Sequence, residues 1–348
     1  MLIENLLTEC IERGASDIHI KEWENVILRI EWELLPSATD VCPDKIMMFD
    51  YLYTLLYKKK ERISYFKNNM EIDFGYVHTD NTSYRGNAYM YMGKIGLALR
   101  RIPENIANLV ELGIPKSIAK VLQAKQGLFL VTGPTGSGKS TTMASMLNAI
   151  NDFRSEHILT IEDPIEYVFK NKKSVISQRE VGRDTLSFSH AIRSAMREDA
   201  DIIMIGEIRD AETMEVALNL AETGHFVIST LHTSGSVQTI SRMIQFFPSE
   251  IEAQIRTRIS DSLIWVLSQR LVPRTDGTGR VAIREIMFAS TAIRNLIIKG
   301  DLVQIPNTIE TSTEDGMITM RKYADTLRDR GIIEEKSYRG YFVNEQYS

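Results

Sequence analysis

Eight consecutive residues constrain this chain more than any other feature: Gly133-Pro134-Thr135-Gly136-Ser137-Gly138-Lys139-Ser140 matches the pattern GxxxxGK[ST]. The apolar run Leu128 to Thr132 reads as a strand leading into it, and the pattern Thr141 to Ile150 reads as a helix leading out. Three glycines allow the backbone to turn its N–H groups inward around phosphate oxygens, an approach that side chains would block. The helix N-terminus adds positive potential at the same point. In that setting Lys139 is expected to neutralise β and γ phosphates, Ser140 to give a hydroxyl ligand to Mg²⁺, and Thr141 to reach the α-phosphate, although kinases, GTPases, translocases and pumps all share such a loop. A glycine-rich turn can also join a strand to a helix with no ligand at all. The lysine and hydroxyl at their fixed positions argue against that bland reading.

Beyond Pro115, apolar runs at Leu128–Val131, Ile158–Ile161, Ile202–Ile205 and Phe226–Ser229 alternate with longer helical patterns. This alternation predicts an α/β fold, a parallel sheet covered by helices. Such sheets bind ligands at the carboxyl ends of their strands. Three of those ends carry polar groups: Glu162-Asp163-Pro164-Ile165-Glu166, Gly206-Glu207, and Thr230-Leu231-His232-Thr233. Glu207, directly after an apolar strand, is the first choice for polarising an attacking water. Gly206 stands where a magnesium-binding acid is usual, which leaves Mg²⁺ to be held through water or through the cluster from Glu162 to Glu166. Pairing with Arg209 is the simpler alternative for Glu207. His232 could donate to a phosphate oxygen, whereas His225 lies at the opposite end of its strand. The remaining histidines show no constellation, and no metal is assigned to them.

The first hundred residues read differently. Ile3, Leu6, Leu7 and Ile11 recur at helical spacing up to Gly14, followed by strand patterns at Asp17–Ile20 and Val26–Trp32, a helical segment at Met47–Lys60, and further strands up to Arg100. A small α+β domain over residues 1–102 fits this order, with Lys58-Lys59-Lys60 expected to close the helix and complement its dipole. Pro103 and Pro115 bracket an expected connection, residues 103–115, before a second domain, 116–348, whose tail from Ser290 to Ile333 looks mainly helical. At 348 residues and 43% hydrophobic content, two cores are affordable to the chain. The formal charge of -5 provides no overall positive excess for nucleic acid. Cys10 and Cys42 form no CxxC pair, so no disulfide framework or cysteine zinc site is readable. The start of the chain lacks a signal-peptide pattern, and no apolar run approaches the roughly 18 residues that cross a bilayer. A cytosolic location is therefore expected, with membrane association only through a partner.

The boxes Ile161–Glu166, Met204–Asp210 and Thr230–Thr233, set behind the phosphate loop, resemble the acidic box, Walker B glutamate and histidine box of the secretion ATPase superfamily. Ala15-Ser16-Asp17-Ile18-His19 near the start and Ala292-Ile293-Arg294-Asn295-Leu296-Ile297 near the end extend the likeness, over nearly the whole chain, to the PilT-like type IV pilus retraction ATPases. The resemblance implies an N-terminal PAS-like domain joined to a RecA-like P-loop ATPase domain, six subunits in a ring, ATP with Mg²⁺, and an inner-membrane pilus platform protein as partner. The implied work is pilus retraction and twitching motility from the cytoplasmic face of that membrane. It also implies catalytic roles for Glu207 and Glu166, with Glu162 beside them, and nucleotide-sensing or finger roles for Arg85 and Arg100. Arg193, Arg197 and Arg209 compete for the finger role, with pairing to Glu198 or Asp210 as the simpler account. Gly182 and Tyr84 depart from the family pattern, where a bulkier and a basic residue are common. Extension and type II secretion ATPases usually add a longer N-terminal region and a four-cysteine zinc site. Type IVB secretion ATPases and nucleic-acid translocases remain as alternatives, and a small-molecule kinase would need a lid and an acceptor pocket.

Overall fold

The computed structural model describes residues 3–31, 33–102, 105–313 and 316–342. Trp32 and Pro103, expected to end a strand and to open the connection, lie outside the described residues, as do the outer limits of the expected domains, Met1 and Ser348. The chain divides into two units: Met1–Asn105 with Asp163–Val168, and Ile106–Glu162 with Phe169–Ser348.

In the first unit, strands β1 (Asp17–Lys21), β2 (Ile27–Ile30), β3 (Glu33–Pro36), β4 (Glu71–Val77), β5 (Ser83–Tyr91) and β6 (Lys94–Arg101) form one sheet in the order β3-β2-β1-β6-β5-β4. Every neighbouring pair is antiparallel. The helix Ile3–Glu12 buries Ile3, Leu6, Leu7 and Cys10, the stripe that its spacing predicts. Each large aliphatic side chain buried there contributes roughly 1.5–3 kcal/mol. One expectation is corrected. The single helix expected over Met47–Lys60 is two, Lys45–Leu55 and Lys60–Asn69. Tyr57 and Lys58 take left-handed backbone angles, φ 54° and 59°, which break the helical path. Lys60 therefore opens the second helix, the end where the dipole disfavours a cation, and does not close the first.

The second unit holds β7 (Gly127–Thr132), β8 (His157–Glu162), β9 (Val175–Glu180), β10 (Ile202–Ile205), β11 (Phe226–Leu231), β12 (Leu263–Pro273) and β13 (Arg280–Phe288), ordered β13-β12-β7-β11-β10-β8-β9. All neighbours are parallel except β12 and β13, which run antiparallel. Period-two alternation assigns each strand's side chains to two cores. Leu128, Leu130, Leu159, Ile161, Ile203, Ile205 and Val227 join one; Phe129, Val131, Ile158, Ile202, Met204, Phe226 and Ile228 join the other. Both faces are therefore apolar and covered, as a parallel sheet requires. Strands β9, β12 and β13 were not legible as strands, whereas the tail is helical as expected, with helices Thr291–Lys299, Ile305–Thr311 and Met320–Asp329.

This order decides where a ligand can sit. After β7 the chain moves to β8, three places away, and later returns through β10 and β11 before crossing to β12 on the other side of β7. The phosphate-loop strand is thus flanked by connections leaving in opposite directions, which opens a crevice at its carboxyl end. In the expected connection, the carbonyls of Leu112 and Gly113 accept from Arg284 of β13 at 2.7 and 3.2 Å, so this stretch is anchored in the second unit. Among the described residues no helix is long and apolar enough to cross a membrane.

Candidate functional site

The loop after β7 is shaped by its glycines. Gly133, Gly136 and Gly138 have φ of 147°, 76° and 83°, values that side-chain-bearing residues rarely adopt. At Gly133 space forbids a side chain as well, because a Cβ would lie 2.2 Å from the carbonyl oxygen of Gln269. Pro134, Thr135 and Gly136 form an exposed lip, while Ser137 and Lys139 are buried. The helix Lys139–Phe153 starts at once, so Ser140 and Thr141 occupy its first turn beside unsatisfied backbone N–H groups. Lys139 Nζ donates to the carbonyls of Gly133 and Pro134 at 2.8 and 3.1 Å, which holds the ammonium inside the turn of the loop.

Next to β7 in the sheet comes β11, ending before His232; next to that comes β10, ending before Gly206-Glu207; then β8, ending at Glu162. Neighbouring strands lie about 4.8 Å apart, so these ends form one row. Two of the expected residues meet directly: His232 Nε2 lies 3.2 Å from Glu207 Oε2. The other carboxylate oxygen accepts from Arg209, so the simpler pairing considered for Glu207 is present as well. Burial alone would raise the pKa of Glu207. The Arg209 hydrogen bond and charge, followed by His232, outweigh it and hold the carboxyl below its ordinary range. The backbone around Glu207 is fixed by β11, where Ser229 Oγ donates to the Ile205 carbonyl at 2.8 Å and Thr230 Oγ1 to the Gly206 carbonyl at 2.8 Å.

The remaining candidates have other partners. Glu162 is the last residue of β8, not the residue after it, and Oε1 accepts from Thr160 Oγ1 at 2.7 Å and Gln178 Nε2 at 3.2 Å. Glu166 belongs to the segment that groups with the first unit, where Arg85 Nη1 reaches its Oε1 at 3.1 Å. In the same unit Arg100 Nε donates to Asp17 Oδ1 at 2.8 Å. The expected ion pairs of the competing arginines are corrected: Arg193 pairs with Glu212 at 2.7 Å, Glu198 takes Arg179 at 2.6 Å, and Asp210 caps the helix Ala211–Glu222 through Thr213 N. Glu198 is taken by an arginine of β9 and Asp210 by a helix N-terminus, partners that spacing along the chain did not reveal. His225 Nδ1 lies 3.1 Å from the Leu220 carbonyl, away from Glu207.

The two departures from the family pattern have local reasons. Gly182 has φ 79° with open space where a Cβ would go, so backbone conformation rather than crowding favours glycine there. Tyr84 is fully buried and donates to the Leu7 carbonyl at 3.1 Å, which makes it a core residue of the first unit.

Sequence reasoning passed over Gln269. It is buried in β12, with Nε2 donating to the Ser137 carbonyl at 2.7 Å and Oε1 accepting from Thr142 Oγ1 at 2.9 Å. The signal was two polar residues, Ser268-Gln269, following the apolar run Leu263–Leu267.

Comparison with known proteins agrees with this geometry. Residues 90–326 match the family model described as "Type II/IV secretion system protein". The type IV pilus retraction ATPase PilT of Pseudomonas aeruginosa is 40% identical over 339 residues, covering 97% of each chain. A crystal structure of the pilus retraction motor PilT with bound ADP superposes with a TM-score of 0.87 at 39% identity, over 97% of this chain and 96% of that one. The ATPase DotB of Legionella pneumophila superposes with a TM-score of 0.89 at 29% identity, over 98% and 95%. By sequence and by fold, the chain belongs to the type II/IV secretion system protein family and resembles its PilT-type retraction ATPases along nearly its full length.

Proposed function

We propose that this chain is an ATP-hydrolysing motor that works as a homohexamer and powers retraction of type IV pili, acting from the cytoplasm on an inner-membrane platform protein. One observation carries the reading: the phosphate loop leaves the strand at which the chain's connections diverge, and the His232 and Glu207 ends follow it in adjacent strands. The likeness to the P. aeruginosa retraction ATPase supports the biological role.

In this reading, residues 133–138 wrap the phosphates with backbone N–H groups, and Lys139 moves from the loop's own carbonyls to the β and γ oxygens. Thr141 takes the α-phosphate. Glu207 orients a water for in-line attack on the γ-phosphorus and accepts its proton, as the bond to the β-bridging oxygen breaks. His232 keeps the Glu207 carboxylate oriented and reports whether the γ-phosphate is present. Glu166, Arg85 and Arg100 are the proposed charge-setting groups, the guanidiniums offsetting charge on the phosphoryl oxygens. Ser140 and, through water, Glu162 would hold Mg²⁺, whose preference for hard oxygen donors they meet and which would draw charge from the phosphates. Residues 1–102 are proposed as a PAS-like domain, 103–115 as the connection and 116–348 as the ATPase domain.

The lowered pKa of Glu207 makes a test of its surroundings. A carboxylate held below its ordinary range remains ionised, and thus able to accept a proton, until the pH falls through that depressed value. Arg209→Ala removes the strongest group lowering it, so the acid limb of kcat/KM for ATP hydrolysis is expected to move to higher pH. An unmoved limb would show that another group titrates there.

The biological role is tested by deleting the gene and imaging surface fibres. Excess fibres that do not retract are expected; bald cells would instead indicate an extension motor. A secretion role is the second reading, since the family model describes secretion system proteins. Unchanged fibres with failed effector delivery would favour it.

A further inference from the structure

We propose that Gln269, far from the loop in sequence, is the residue that sets the phosphate loop's shape for nucleotide, a role that rests on reading residues 133–140 as the nucleotide site. Gln269 is 1% exposed and touches the loop's two ends and its following helix. Its amide nitrogen donates to the Ser137 carbonyl at 2.7 Å. Its amide oxygen accepts from Thr142 Oγ1, in the first turn of the helix, at 2.9 Å. Its own backbone carbonyl closes against Gly133, where a Cβ would come within 2.2 Å.

The consequence follows from the peptide bond. A trans peptide is planar, and its C=O and N–H point in opposite directions. Holding the Ser137 carbonyl toward β12 therefore aims the Gly138 N–H away from β12, and Gly138 immediately precedes Lys139. Both neighbouring residues are shielded from water: Thr142 is 2% exposed and Ser137 is 3% exposed. Glutamine suits the position because one side chain supplies both a donor and an acceptor, with no charge to repel phosphate. The adjacent Ser268 adds a second tie, its Oγ lying 2.7 Å from Oγ1 of Thr132, the residue before Gly133. Strand β12 thus frames the loop at its entry and at its exit.

The test compares full-length wild type with Gln269→Leu, Gln269→Glu, Thr142→Val and Lys139→Ala, measuring equilibrium binding of a fluorescent ribose-labelled ADP, ATPase kinetics and thermal unfolding. Gln269→Leu is expected to raise the Kd for ADP and the KM for ATP about tenfold, with a smaller change in kcat. Thr142→Val leaves the bond to Ser137 in place and is expected to shift both by less than about threefold. In Gln269→Glu, ionised oxygens face the Ser137 carbonyl, whereas the protonated acid can donate to it. Its ADP affinity is therefore expected to improve relative to wild type as the pH is lowered, a response that Gln269→Leu should lack. Binding lost in Lys139→Ala but unchanged in Gln269→Leu would overturn the positioning role alone. So would equal losses in Gln269→Leu and Thr142→Val that track only their unfolding temperatures, because the side chain would then serve the core. Binding that Lys139→Ala leaves intact would overturn the site reading itself.

Discussion

Lys139→Ala should lose nucleotide binding and at least about a hundredfold in kcat/KM for ATP, the scale seen when one preorganised charge-stabilising donor is removed from an active site. The lysine is buried and bonded to the carbonyls of Gly133 and Pro134, so it is already positioned at the loop before any phosphate arrives. Alanine removes the cation that offsets phosphate charge, and it also frees the two carbonyls that the ammonium holds. Calorimetric titration with ADP separates these effects from misfolding if the thermal unfolding of the nucleotide-free protein is followed in parallel. Tight ADP binding by a folded Lys139→Ala protein would contradict the assignment.

Glu207→Gln should behave differently, with binding retained and turnover reduced by about 10²–10⁴-fold, the range for losing a positioned general base. The amide keeps the shape of the carboxylate and can still meet His232, but it cannot take a proton from water. The charge pairing of Arg209 with Glu207 is lost as well, although the amide oxygen can still accept from the guanidinium. The measurement is single-turnover hydrolysis with saturating ATP, which reads the chemical step directly. Near-normal turnover would assign the base elsewhere, with Glu166 as the next candidate. Opposite outcomes in the two variants, one failing at binding and the other at chemistry, distinguish a hydrolase from a protein that only holds nucleotide.

The parts of the site that were legible share a local cause. The phosphate loop is contiguous, so its glycines, lysine and serine could be recognised from eight neighbouring residues, although part of its shape is held from β12. Glu207 and His232 were legible because each directly follows an apolar strand, and parallel strands present their carboxyl ends on one side. Their 3.2 Å contact was not legible, because it requires β10 and β11 to be neighbours. The two-helix break at Tyr57-Lys58 escaped detection for another reason: neither residue type advertises the left-handed conformation with which the first helix closes, Lys58 N donating back to the Tyr53 carbonyl at 2.8 Å.

Periodicity and motif spacing were sufficient to specify an α/β phosphate-loop domain behind a smaller α+β domain, since a side chain's face on a strand or helix depends only on its position in the element. Long-range polar pairing was decided by tertiary structure. Gln269 meets Ser137 and Thr142 across more than a hundred residues of chain, and Arg85 meets Glu166 across eighty-one. Strand order brings such pairs together, and strand order follows from how both sheet faces find cover, a global property that no window of sequence contains.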